Sequence, residues 1–455
     1  MTADQLMPLS RRIIEGLLDR KVSIVSYACD GTVVERSVQR LLTSNAGSTI
    51  CYTIKNPRKR IGGSDLILRI PVIKGQAMSM VQDSKHALKT LRNNLFSGAR
   101  LLVLGNYVAI YSNIRAIALE ENSPLYMRDV EKLDRQDDNA ATRLFSSETL
   151  DFISKKHPEC IGEIVYLFVF GELIDAYQNR SISHKERVKL VLRAHYFLES
   201  WIKFQQVTNY PKAQYLISRE ALDIIQFIIE GYLSLVFIFR DLSSGLWALL
   251  PWLHSSEACE HVFGEARQIV EDFTMLDFIY MIPKLRVKMR QAILQQKTSV
   301  PKVRASGYNH TYFDMAGLDE LNLATFPSDA DIEVAAQEAS EEADSLIRLL
   351  GLRPQQINQF SLKKNYITPV FLPSIDSWFS DFLDSGAKLN DEKSDNISIT
   401  SIDSDDESIS DAQELQNLLD REERMDISRP ANQERSLTNL TCAALALSAD
   451  DVMKV

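Results

Sequence analysis

The sequence predicts an α/β region joined to a mostly α-helical one. Two early segments each consist of a short apolar strand, an aspartate and a helix, with the aspartates at Asp30 and Asp83. Strands that are linked through helices favour a parallel sheet. Residues 101–253 then carry apolar side chains at helical spacing almost throughout. We therefore expect α/β plus mostly α as the fold class.

The composition agrees with a globular protein. Of the 455 residues, 45% are hydrophobic and 25% are charged, which allows a sizeable core. The net charge of −10 argues against general electrostatic attraction to a polyanion. Five cysteines without a Cys-x-x-Cys pair indicate reduced thiols, as in cytosolic or nuclear proteins.

Neither a signal peptide nor a membrane span is expected. Residues 1–20 are amphipathic and charged, and they lack the apolar run of a signal peptide. The most apolar stretch, Tyr232–Leu253, is interrupted by Arg240 and Asp241. A pair of buried helices explains this stretch better than a helix across a bilayer.

The first hundred residues alternate between helices and strands. Their periodicity predicts helices over Thr2–Arg20, Thr32–Thr43 and Ser84–Leu95, and strands over Lys21–Cys29, Ser48–Ile54, Asp65–Val72 and Gln76–Gln82. The second and third strands are spaced for a hairpin with a basic tip, Lys55–Gly63. Such a tip is either a solvated loop or a contact to nucleic-acid phosphates, which Arg and Lys dominate.

Asp30 and Asp83 are the first candidate site residues. Each directly follows a predicted strand. Because side chains at the carboxyl ends of parallel strands converge on one edge of the sheet, the two aspartates are expected to lie near each other. Either they belong to a site there, or each simply caps the helix that follows it.

The later chain reads as helices and then as an acidic tail. Helices are expected over Arg143–Ile153, Glu163–Ala176, Ser183–Gln205, Arg219–Phe239, Ala266–Gln296 and the acidic Ala330–Leu350, with an apolar run over Arg100–Ser112. Residues 385–455 combine low hydrophobicity with repeated acids, which predicts disorder with short helices over Asp411–Arg424 and Leu437–Met453.

The segment Pro251–Arg267 places several carboxylates at a helix start. Ser255 and Ser256 are candidate N-caps, and Glu257 and Glu260 fall in the first turns, where the helix dipole favours acids. The segment is either a solvated helix start or the source of a late catalytic carboxylate. Three nearby side chains also form a possible partial metal site, namely His254, Cys259 and His261.

Four segments resemble, in the same order, those of the P-element and THAP-type transposases, which belong to the RNase H-like DNA transposases. They are Ala28–Arg36, Gln82–Asn94, Asn139–Ser146 and Glu260–Arg267. The second is similar to an Asp-x-x-His-x-x-Lys-x-x-Arg-Asn motif, with Asp83, His86, Lys89, Arg92 and Asn93 in place. The last is similar to a Glu-Asn-x-Phe-x-x-x-Arg motif, through Glu260, Phe263 and Arg267, and to the Ser-Glu-Arg-x-Phe end of hAT transposases.

The resemblance implies a partial RNase H-like core interrupted by a large all-helical insertion. Such enzymes hold two Mg²⁺ ions with carboxylates and cut DNA phosphodiesters. It implies Asp30, Asp83 and Glu260 as catalytic residues, Asp30 and Glu260 as metal ligands, and Mg²⁺ or Mn²⁺ as cofactor. Asp30 best matches the family's second carboxylate, which leaves the first unmatched; the alternative takes Asp30 as first and Asp83 as second.

The resemblance also implies DNA as partner and the nucleus as location. The candidate DNA-binding residues are Lys89, Arg92, Lys55, Arg58, Lys59 and Arg60. We expect a transposase-derived protein whose catalysis is impaired by the missing carboxylate. The alternative is a non-catalytic helical interaction protein whose acidic tail binds a basic partner.

The expected parts are 1–20, an N-terminal helix; 21–100, α/β; 101–253, the insertion; 254–298, the helix with the late Glu; 299–384, an extension; and 385–455, the tail.

Overall fold

A computed structural model describes residues 1–59, 62–97, 100–130, 135–208, 210, 212–243, 247–296, 318–355 and 357. Arg60 and the tail 385–455, with its two expected short helices and its expected basic partner, lie outside these residues. Of the extension 299–384, the structure describes 318–355 and 357. Over the described residues the chain is mostly helical, with short strands.

Seven strands are present in the described residues. They are β1 (Ser26–Cys29), β2 (Ser48–Ile54), β3 (Leu66–Ile73), β4 (Gln76–Ala77), β5 (Ser79–Gln82), β6 (Leu102–Leu104) and β7 (Tyr107–Ala109). They form a parallel pair β1–β5, an antiparallel sheet β2–β3–β4 and an antiparallel pair β6–β7. An RNase H-like core therefore stays a prediction.

The helices of the first half flank these strands. They are α1 (Ala3–Asp19), α2 (Val33–Ser44), α3 (Ser84–Phe96), α4 (Tyr111–Ala118), α5 (Met127–Val130), α6 (Asp138–Leu144) and α7 (Ser147–Lys156). The later helices are α8 (Ile161–Gln178), α9 (His184–Val207), α10 (Lys212–Tyr215), α11 (Arg219–Phe237), α12 (Glu257–Ile269), α13 (Met275–Gln296), α14 (Glu320–Ala324) and α15 (Asp329–Leu349).

The expected parallel arrangement is present in the pair β1–β5. Ser26 pairs with Ser79 and Cys29 with Gln82. The strand expected over Gln76–Gln82 is broken at Met78, whose N–H donates to the Pro71 carbonyl, so that β4 continues the antiparallel sheet while β5 turns to β1.

The region expected to be an all-helical insertion begins with a strand hairpin instead. The apolar run over Arg100–Ser112 folds into β6 and β7 around Gly105, which has a φ of +64°. Glycine adopts this conformation at no steric cost. A side chain at Gly105 would also collide with the Leu350 carbonyl, just beyond α15.

The main core is built on three long helices, α8, α9 and α11, and α11 lies against β5. The segment Arg219–Leu242 is long and apolar enough to cross a membrane, but 72% of its most apolar window is buried in the protein. The stretch Tyr232–Leu253 is not the expected helix pair. It holds the end of α11, a π-helical turn over Ile238–Leu242 and a 3₁₀ turn over Pro251–Leu253.

The acidic helix α15 packs on α9 through alanines and Ile347 on its inner face, and two of its acids, Glu342 and Asp344, pair with Arg193 and Arg58 beside that face. The helices α12 and α13 form a separate hairpin with a small core of their own, made by Ala266, Met281, Leu285 and Met289. We call this hairpin the α12–α13 arm.

Candidate metal centre

The site lies where the two parallel strands end. Asp30 directly follows β1 and Asp83 directly follows β5. Because Cys29 and Gln82 are paired in register, the two aspartates come at equivalent positions of neighbouring strands. The Asp83 N–H donates to the Cys29 carbonyl at 2.8 Å, which extends the ladder by one more bond.

Asp83 is occupied as a cap. Its Oδ1 accepts the N–H groups of Lys85 and His86 at the start of α3, at 2.8 and 3.1 Å. Its Oδ2 accepts the N–H and the hydroxyl of Ser256, both at 3.1 Å. Each oxygen thus accepts two hydrogen bonds. Asp83 fastens the start of α12 to the start of α3.

This fastening brings Glu260 to the strand ends. Glu260 follows Ser256, the N-cap of α12, by about one turn, and the Ser256 hydroxyl lies 3.3 Å from its Oε1. His86 comes from the first turn of α3. One ligand atom from each of Asp30, His86 and Glu260 lies within 4.8 Å of the others. Among the described residues, these three form the group that could hold a metal ion.

The geometry and chemistry of these three residues fit a divalent cation. Asp30 Oδ1 is buried and accepts no hydrogen bond from the described residues. An unsatisfied buried carboxylate oxygen is costly, and a cation satisfies it. The two carboxylates suit Mn²⁺, or Mg²⁺ that keeps several of its waters, and the imidazole is a ligand that Zn²⁺ and Fe²⁺ also accept.

Electrostatics at the site agree with this reading. The pKa of Glu260 is raised from its ordinary value of 4.5, first by loss of surrounding solvent and then by the negative charges of Asp83 and Asp30. The pKa of the Cys259 thiol is raised for similar reasons, since Asp30 and Glu260 lie near it. Carboxylates that repel one another in this way are stabilised by a shared cation.

The partial metal site suggested for His254, Cys259 and His261 does not form. The His254 Nδ1 is hydrogen-bonded to the Ser26 hydroxyl at 2.8 Å, and burial lowers the pKa of His254 to about 4. His261 contacts Glu257. Cys259 is exposed, and the three side chains face different surroundings.

The residues expected to bind DNA from α3 are largely used inside the protein. Lys89 pairs with Asp138 at 2.9 Å. Arg92 is 2% exposed and donates to the Asp129 carbonyl at 2.6 Å. Arg92 therefore serves packing between α3 and α5, which corrects the expected phosphate contact.

Among the described residues of the basic hairpin tip, one of those expected to bind DNA is buried and two are exposed. Arg58 is 4% exposed and lies against α9 and α15, where its guanidinium pairs with Asp344 at 2.6 Å. This corrects the expectation for Arg58, because a buried and fully used guanidinium cannot reach a phosphate. Lys55 and Lys59 remain exposed, although each pairs with an acid, Glu333 and Asp65.

His86 is the residue at the site to which the motif analysis gave no role. It stands in the matched motif, three residues after Asp83. In a helix capped by Asp83, the third residue of the first turn lies beside the cap, and so His86 is carried to the strand ends. The expected helix-cap position of Asp83 could therefore have indicated, from the sequence, that His86 lies at the site.

No family model matches the sequence, and no curated protein matches it. A solved structure, described as the Drosophila P element transposase strand transfer complex, is similar with a TM-score of 0.41 and 16% sequence identity. The similarity covers 62% of this chain and 63% of that chain, so this chain spans less than two thirds of the solved one. Similarity at this level carries no functional argument, and the THAP and hAT likenesses stay predictions.

Proposed function

We propose that this protein is transposase-related and DNA-associated, and that it binds one divalent cation, Mn²⁺ or Mg²⁺, through Asp30, His86 and Glu260. The observation that supports the proposal most is the approach of these three ligand atoms to within 4.8 Å, with one Asp30 oxygen buried and unpaired. When bound, such a cation acts as a Lewis acid toward a phosphodiester oxygen.

The same geometry argues for weak or absent DNA cleavage. Two-metal enzymes hold ions about 3.5–4 Å apart, which requires carboxylates that reach both. Here both carboxylate oxygens of Asp83 accept hydrogen bonds from the starts of α3 and α12. Two carboxylates and one imidazole therefore remain to bind a cation. That set suits a single cation, and we propose that the protein binds DNA in the nucleus with impaired strand cutting.

Cation binding is the first test. Free Mn²⁺ is titrated with the full chain and measured by electron paramagnetic resonance. The wild type is expected to bind one Mn²⁺. Three variants, each lacking one proposed ligand, are expected to bind Mn²⁺ at least about tenfold more weakly: Asp30→Asn, His86→Ala and Glu260→Gln. A loss of that size is already typical when a residue that only supports a metal ligand is removed.

Glu271→Gln is the matched control, since Glu271 is an exposed acid in the same arm just after α12. It should leave the affinity for Mn²⁺ unchanged.

A labelled DNA duplex, incubated with the wild type and Mn²⁺, should be cut slowly or not at all. Robust cleavage that is lost in Asp30→Ala, Asp83→Ala and Glu260→Ala alike would instead support a full carboxylate triad.

A further inference from the structure

A buried ion pair joins the starts of α3 and α12. The Lys85 Nζ lies 2.8 and 2.7 Å from the two carboxylate oxygens of Glu257. Both residues are 8% exposed. His261, one turn further along α12, lies 3.4 Å from the same carboxylate and is also buried.

This pair lies on the two helical turns that supply cation ligands. Lys85 directly precedes His86, and Glu257 precedes Glu260 by three residues. Residues three apart in a helix are neighbours on its surface. A shift of α12 against α3 that broke the pair would therefore also move Glu260 away from His86.

Among the described residues, the hydrophobic cores do not join the arm to the rest of the protein. The core of the α12–α13 arm is separate from the main core, to which α3 and the strand β5 belong. Across this boundary, Ser256 is hydrogen-bonded to Asp83, and Glu257 pairs with Lys85. Asp30 and His86 are thus fixed by the body of the protein, whereas Glu260 is placed by the docking of the arm.

We infer that the Lys85–Glu257 pair is an anchor that sets the cation affinity of the site without touching the cation. The inference rests on the proposed cation site. Both residues are positioning residues: they hold Glu260 within reach of Asp30 and His86. A buried charge that loses its partner is strongly unfavourable, so removal of either residue favours an undocked arm.

The test is the Mn²⁺ affinity of the full chain with Glu257→Gln and with Lys85→Met. Each single variant is expected to weaken Mn²⁺ binding by about 10–100-fold, as for groups that orient metal ligands. The double variant Lys85→Met/Glu257→Leu removes both charges together. Because an apolar pair of similar volume often replaces a buried ion pair without loss, it should restore the affinity to within about threefold of the wild type.

Asp344→Asn is the control for a merely structural role. It breaks another largely buried pair, with Arg58, far along the chain from α12. It should lower the melting temperature and leave the affinity for Mn²⁺ as in the wild type.

The outcomes separate this inference from the proposed function. Single variants that bind Mn²⁺ as tightly as the wild type would overturn the anchor and leave the cation site in place. So would a double variant as weak as the single ones, provided that it is folded by circular dichroism. A wild type that binds no Mn²⁺ would overturn the proposed function, and the anchor with it.

Discussion

Two aspartates that occupy equivalent positions, each directly after a parallel strand, differ in the hydrogen bonds that they accept. Asp30 and Asp83 both follow parallel strands in register. Asp83 meets two helix starts and accepts hydrogen bonds on both oxygens. The Oδ1 of Asp30 is buried without a hydrogen-bond partner in the described residues. At the scale of the residue, this difference favours Asp30 as the proposed ligand and leaves Asp83 as a cap.

The raised pKa of Glu260 gives a prediction about pH. The folded protein holds this proton more tightly than the unfolded chain does, so protonated Glu260 favours folding. That contribution is complete below the ordinary value of 4.5 and is lost as the pH rises through the raised pKa. Glu260→Gln carries no charge at any pH. At pH 7 and without cations it should therefore be more stable than the wild type, by less than about 1 kcal/mol because the group is partly solvated.

The measurement is urea unfolding in chelator at pH 7 and at about pH 4.5. The advantage of Glu260→Gln should shrink at the lower pH. It should reverse at pH 7 when Mn²⁺ is added, because only the wild type is then stabilised by the ligand. An advantage that grew on acidification would contradict the raised pKa.

At the scale of the element, the cap of α3 is the feature to test. Asp83→Ala removes a capping acceptor and the tie to Ser256, and it should cost about 1–2 kcal/mol of unfolding free energy. Asp83→Asn keeps a capping oxygen and should cost less. Urea unfolding measures both.

The same variants test whether Asp83 binds the cation. With Asp83 as cap, Asp83→Asn should weaken Mn²⁺ binding only indirectly, through the lost tie between α3 and Ser256, and by no more than the about 10–100-fold typical of groups that orient metal ligands. A variant with unchanged stability and no Mn²⁺ binding would make Asp83 a ligand and return it to the expected catalytic set.

Helices were easier to predict than strands. The helices expected over Thr2–Arg20, Thr32–Thr43 and Ser84–Leu95 correspond to α1, α2 and α3 to within one or two residues at each end. A helix repeats its pattern over several turns and carries its own caps. The strand expected over Lys21–Cys29 starts only at Ser26, because strand length depends on how far the partner β5 extends.

At the scale of the whole molecule, Arg58 connects three distant parts of the chain. Its guanidinium donates to the Tyr196 carbonyl and the Ser200 hydroxyl on α9, and to Ser340 and Asp344 on α15. Arg58→Met should cost about 3–5 kcal/mol, because it leaves these buried acceptors and a charge without their partner.

Lys59→Met is the matched control for Arg58→Met. Lys59 is the next residue, and its pair with Asp65 is exposed, so its loss should cost less than about 1 kcal/mol. Equal losses of stability for the two variants, measured by urea unfolding, would show that burial of Arg58 contributes nothing.

The sequence by itself determined the early helices and the parallel strand pair. These follow from local periodicity, from caps and from chemical preferences that act within a few residues. It also indicated Asp30 and Glu260, although 230 positions separate them. Only the tertiary structure decided that His86 joins them, that Asp83 is a cap and that Arg58 and Arg92 are buried. Those outcomes depend on which distant surfaces meet, because burial and hydrogen-bond partners are properties of the packed chain.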